Sequence, residues 1–110
     1  MARHHLLVLS NPTEGQEDAY NAWYEGQHIP DVLKTPGWVS AQRFRMTVKV
    51  TEGAEYRYLA IYELETEDPA ADVEALLARA GTEAMVMSDA LDPGYFCALY
   101  QATTPLRRAD

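Results

Sequence analysis

Only one cysteine, Cys97, occurs in the 110 residues. This excludes a disulfide framework and a cysteine-rich zinc site, and it fits a reducing, cytoplasmic setting. The three histidines have no His-x-x-x-His spacing, so no metal is expected. No apolar run approaches the roughly 18–20 residues of a membrane span. The short apolar stretch after His5 is too brief for a secretory signal, so neither a membrane nor an exported state is expected. Gly-x-Gly-x-x-Gly and Gly-x-Ser-x-Gly are both missing, which removes a dinucleotide fold and covalent acyl transfer. Basic residues are scarce, with 9 Lys and Arg against 17 Asp and Glu and a net charge of −8. A phosphate backbone is held by excess basic side chains, so nucleic acid is not an expected partner.

What remains is apolar. Hydrophobic residues make up 47% and aromatic residues 10%, enough for one packed domain over residues 1–103 with a polar tail at 104–110. Residues 1–50 balance five acids with five bases, whereas residues 51–92 hold eleven acids against Arg57 and Arg79. The acidic half reads as a solvated face, and the neutral half is the place to look for chemistry.

Residues 4–10 read as a first strand, stopped by Asn11-Pro12. Thr13 and Gln16 have the spacing of a capping box for a helix from about Gly15 to Gln27. Tyr20, Trp23, Tyr24, Gln27 and His28 share one face of that helix. Pro30 is expected to break it and open a short, angled helix over 30–34. A long strand Trp38–Val50, a reversal at Glu52-Gly53 and a strand Tyr56–Glu65 then form a hairpin. Asp68 caps a second helix beginning at Pro69 and stopping at Gly81, and a last strand covers Tyr95–Ala102.

The order β-α-β-β-α-β is that of an α+β, ferredoxin-like fold with a four-stranded antiparallel sheet. Helices on one face should leave the other polar. Yet Tyr58, Ala60, Tyr62 and Leu64 oppose Leu59 and Ile61, and Cys97 and Leu99 oppose Phe96, Ala98 and Tyr100. A naked apolar face of that size is rare on monomers, so two sheets are expected to pack together in a homodimer.

The run Tyr20-Asn21-Ala22-Trp23-Tyr24-Glu25-Gly26-Gln27-His28-Ile29-Pro30 leads through Pro36-Gly37-Trp38 to Arg43-Phe44-Arg45. It resembles the dimeric α+β barrel superfamily, particularly its EthD-like branch. The resemblance implies a symmetric dimer with a central barrel and an apolar pocket between each subunit's sheet and helices. A small aromatic or ketonic ligand would sit there, with a few polar side chains doing proton chemistry. It also implies several activities, among them cofactor-free isomerases, cyclases and lyases, quinone-forming monooxygenases, non-catalytic binders and heme-binding proteins; a cofactor-free enzyme is the first expectation, so no cofactor is expected.

His28 is the first candidate, because imidazole titrates near neutral pH; the alternative is a helix-end cap. Asp31 has the spacing to orient it, or to answer a helix dipole instead. Tyr24 and Tyr62 are candidate donors to a developing oxyanion. Tyr20 and Trp23 suit either core or pocket wall. Arg43 and Arg45, on a strand face taken to be covered by a partner, imply either ion pairs or capture of a substrate carboxylate. Phe44 and Ser88 complete the expected substrate-binding set, Ser88 at a pocket mouth. His4 and His5 are held in reserve.

Overall fold

The structure, a computed structural model, describes residues 2–110. The strands β1 (Ala2–Ser10), β2 (Trp38–Arg45), β3 (Tyr58–Thr66) and β4 (Phe96–Gln101) form one sheet in the order β2-β3-β1-β4. Every neighbouring pair is antiparallel. Helices α1 (Glu17–Trp23), α2 (Ile29–Leu33) and α3 (Pro69–Arg79) complete the α+β, ferredoxin-like arrangement.

Period-two burial shows how the sheet is used. On β3, Tyr58, Ala60, Tyr62, Leu64 and Thr66 are buried under the helices, while Leu59 and Ile61 face the other way, partly open. Tyr20 from α1, Tyr24 from the turn between α1 and α2, and Val32 from α2 enter the same core, with Trp38 from β2 and Leu76 from α3. At α3, Asp68 accepts from the Ala71 N–H at 3.2 Å, and Pro69 takes the first turn.

Three expectations are corrected. Pro30 does not break the helix, because Tyr24–His28 form a π-helical turn that continues directly into α2. The Ile29 N–H reaches the Tyr24 carbonyl, five residues back. A proline in a regular helix collides with the carbonyl four residues earlier, and a turn widened to i→i−5 relieves that collision. Thr13 and Gln16 form no capping box: Gln16 is the cap residue without a side-chain bond. Thr13 instead holds the distant segment 89–90, its N–H on Ala90 and its hydroxyl on Asp89, both at 2.7 Å. Finally, β2 ends at Arg45. Beyond Tyr58 the opposite chain turns to Asn11, which bonds the Glu55 carbonyl at 3.1 Å and the Arg57 N–H at 2.8 Å. After a last bond between the Met46 N–H and the Arg57 carbonyl, residues 47–50 have no ladder to join.

A β-bulge between Trp38 and Ser40 also resets parity in β2. It turns Val39 outward, half exposed, while Trp38 and Ala41 stay against the core.

Candidate functional site

Between the sheet and its helices lies a cavity of about 290 Å³. Leu6, Val8, Tyr62, Cys97 and Leu99 form its sheet wall, and Tyr24, His28, Val32, Val73, Leu76 and Leu77 its helical wall. Met85, Met87, Leu91 and Tyr95 close it from the segment after α3. Three of the expected catalytic residues, Tyr24, His28 and Tyr62, therefore share one apolar enclosure.

The helix path explains how His28 arrives there. The π-turn shifts the phase of the residues after Tyr24 while leaving Tyr24 and His28 in edge contact, ring centroids 5.3 Å apart. Trp23 stacks on the imidazole at 4.6 Å, and Tyr62 meets it edge-on at 6.4 Å. Burial pulls the imidazole down from its ordinary 6.5 to about 4, opposed by the nearby Asp31 carboxylate. At neutral pH His28 is thus uncharged, as a proton acceptor must be. Its Nδ1 is sealed and has no hydrogen-bond partner. Only Nε2 is then left to meet a ligand.

The two phenols are donors. Burial pushes Tyr24 up to about 12 and Tyr62 well above the ordinary tyrosine range, so both stay protonated. The Tyr62 hydroxyl, only 1% exposed as a residue, lies beside the Tyr24 phenol, near enough for the two to influence each other's titration, and has no hydrogen-bond partner within 3.5 Å. Buried hydroxyls are normally paired, and a ligand oxygen placed against the two phenols would complete that pairing.

The other expected site residues stand elsewhere. Asp31 is buried but does not orient His28: its Oδ2 accepts from Gln27 Nε2 at 2.7 Å and from the Val86 N–H at 3.3 Å. Trp23 donates its indole N–H to the Val86 carbonyl at 2.9 Å. Both backbone groups of Val86 are thus held by the helix that carries His28, which pins the segment bearing Met85 and Met87. Tyr20 is wholly core, its hydroxyl 2.6 Å from Ser10 Oγ.

Arg43 lies on the helix side of the sheet rather than on a face reserved for a partner. Its guanidinium sits 4.4 Å from the centre of the Tyr24 ring, donates to Asn21 Oδ1 at 2.7 Å and lies 3.7 Å from the Glu25 carboxylate. With Tyr24 in the cavity wall and Arg43 packed behind it, this cation is spent on the core and is not offered to a substrate. Phe44 points to the uncovered face, 41% exposed. Ser88 accepts the Ala90 N–H at 3.0 Å and takes no part in the wall. His4 is buried on the helix side and His5 lies on the opposite face, where it borders a shallow groove with Phe44.

Met85, Met87, Leu91, Tyr95 and Cys97 were not expected in the site. The segment 82–92 has no hydrophobic period to read; its one signal is the Met-x-Met spacing, two flexible apolar side chains two residues apart in an irregular chain. Among the described residues no three His, Cys, Asp or Glu side chains converge on a metal site. Nor, among the described residues, is any helix long and apolar enough to cross a membrane.

No known protein family profile matches the chain, and no curated protein does. Solved structures do. A protein of Shewanella loihica PV-4, provisionally named a monooxygenase, superposes with a TM-score of 0.63 at 18% identity, covering 94% of this chain and 97% of that one. An EthD family protein of Bacillus halodurans C-125 gives a TM-score of 0.53 at 13% identity, covering 94% of this chain and 100% of the other. At these identities the likeness shows the fold alone, an α+β, ferredoxin-like sheet covered by helices on one face.

Proposed function

We propose that the protein is a small cofactor-free enzyme of isomerase, cyclase or lyase type, acting by acid–base chemistry on an aromatic or ketonic metabolite in the helix–sheet cavity. One observation carries this reading: an uncharged imidazole and two protonated phenols share an otherwise apolar enclosure. In the simplest cycle, His28 Nε2 takes the proton from a carbon next to the substrate carbonyl. The electron pair moves onto the carbonyl oxygen, where the Tyr62 hydroxyl donates to the enolate, with Tyr24 beside it. The imidazolium, whose proton exchanges with water, then returns one proton to the original or another carbon, so the reaction needs no oxidant or co-reactant. Base catalysis of this kind is worth about 100- to 10,000-fold, and an enolate held by a preorganised donor in a dry site is stabilised further.

The test is deuterium incorporation next to the carbonyl of simple aryl ketones in heavy water, followed by NMR. Exchange by the wild type that exceeds His28→Asn at least a hundredfold supports the reading. Equal rates overturn it. The monooxygenase name of the Shewanella structure favours a second reading, oxidation of a phenol to a quinone by oxygen. Oxygen uptake with hydroquinone or anthrone substrates distinguishes the two. If neither proton exchange nor oxygen consumption occurs while ligands still bind, the protein is a carrier of aromatic compounds.

The working unit in this proposal is a homodimer joined through the uncovered sheet face. Phe44, Phe96 and Tyr100 are 41%, 42% and 50% exposed there, beside Leu7, Leu9, Leu59 and Ile61. Such a contiguous apolar surface calls for a cover. Sedimentation equilibrium at micromolar concentration should give twice the 12.4 kDa chain mass.

A further inference from the structure

We infer that the cavity selects an uncharged ligand of one or two aromatic rings, taken up oxygen first, and rejects a carboxylate analogue of the same shape. The inference rests on the cavity being the functional site, and it goes beyond that reading by fixing the ligand's charge and direction.

Charge comes first. No Lys, Arg, Asp or Glu contributes to the cavity wall. The nearest guanidinium to the catalytic rings, that of Arg43, lies behind Tyr24, already bonded to Asn21 and near Glu25. His28 is neutral above about pH 5 because burial disfavours its charged form. A carboxylate entering this space would lose its water and gain no counter-ion, a cost that binding of the rings does not recover. A hydroxyl or carbonyl oxygen fits, because the protonated Tyr62 phenol can donate to it and the uncharged His28, through Nε2, can accept from it.

Direction follows from burial. Tyr24 and Tyr62 are 2% and 1% exposed at the closed end, whereas Leu77, Met87 and Tyr95 are 60%, 37% and 45% exposed and Cys97 is open as well. The mouth therefore lies between α3, the Met87 segment and the start of β4, and the polar end is the deep one. A volume of about 290 Å³ sits at the lower limit of small-molecule sites, which restricts the ring system to one or two fused rings.

Cys97 is the only cysteine, so its alkylation reports occupancy of the mouth without interference. The matched probes are 2-naphthol, neutral at pH 7, and 2-naphthoate, an anion of the same ring system. Iodoacetamide alkylation of Cys97 and the melting temperature are followed with each. The expected result is that 2-naphthol slows alkylation at least fivefold and raises the melting temperature, while 2-naphthoate changes neither. Tyr62→Phe should weaken 2-naphthol binding about five- to tenfold, the loss of one hydrogen bond. If 2-naphthoate protects Cys97 as well as 2-naphthol does, the charge selectivity is wrong although the cavity is still the site. If neither compound protects Cys97, both the selectivity and the cavity reading fall. Tyr62→Phe binding 2-naphthol as tightly as wild type overturns the oxygen-first orientation.

Discussion

Replacing Tyr62 by Phe removes a single oxygen from the deep end of the cavity, and the consequence for stability runs against intuition. Core substitutions usually destabilise. Here, however, the hydroxyl is buried in a residue 1% exposed, and its polar neighbour, the Tyr24 phenol, stands beyond hydrogen-bonding distance. A buried hydroxyl without a partner costs about 1–3 kcal/mol relative to its hydrated state in the unfolded chain. Deleting it returns most of that amount, less the few dispersion contacts of one oxygen atom at the edge of an existing void. The expected gain is about 1–2 kcal/mol, or about 4 °C or more in melting temperature for a chain of this size. Urea denaturation at pH 7 and one fixed protein concentration measures it, with the slope in denaturant unchanged. The same variant should bind 2-naphthol more weakly, so stability and ligand affinity move in opposite directions. A Tyr62→Phe protein destabilised by about 1 kcal/mol or more would mean that the hydroxyl is already satisfied in the resting protein. The argument that it awaits a ligand would then fail.

His28 makes stability depend on acid. Its unfolded imidazole takes up a proton near 6.5 and the folded one only near 4, so the unfolded state binds more protons in between. Stability is therefore highest above pH 6.5 and falls by up to about 3 kcal/mol as pH drops to 4; denaturation at pH 7, 5 and 4 should show this slope in wild type and lose most of it in His28→Gln. Trp23→Phe removes the indole bond to Val86 and should cost about 1 kcal/mol while speeding amide exchange at Met85–Met87. Asp31→Ala leaves the Val86 N–H and Gln27 amide without their acceptor and should cost about 1–3 kcal/mol, with faster Cys97 alkylation as the segment loosens. Gly37→Ala should destabilise by about 1–3 kcal/mol, since Gly37 has φ +93° and a Cβ there would come 3.1 Å from Leu64 Cδ1. Thermal melts at matched concentration check it.

Strand and helix order was legible because each element announces itself locally: alternation in Tyr58–Leu64, a capped start at Asp68-Pro69, a stop at Gly81. What could not be read is non-local. Pro30 signals a break, and only the widened turn beneath it, formed by Tyr24–His28, allows the helix to run on. Arg43 has the chemistry of a carboxylate receptor, and its consumption by Tyr24, Asn21 and Glu25 depends on which way a bulged strand faces. Asp31 stands three residues from His28 in sequence, yet its nearest donors come from Gln27 and from Val86, 55 positions away. The helical rings of the proposed site, Tyr24 and His28, were legible because aromatic and histidine spacing on a helix is a local pattern. The mouth was missed because Met85, Met87 and Cys97 converge only in the folded chain.

The account depends on the imidazole of residue 28 and the phenol of residue 62 facing a ligand inside the helix–sheet cavity. Titrating 2-naphthol into protein labelled at histidine and tyrosine rings, and following each ring by NMR, tests this most directly. Saturable shifts at His28 and Tyr62, with His5 on the far side of the sheet unmoved, are the predicted result. Shifts confined to His5 and the uncovered sheet face, or none at His28 at saturating ligand, would contradict it.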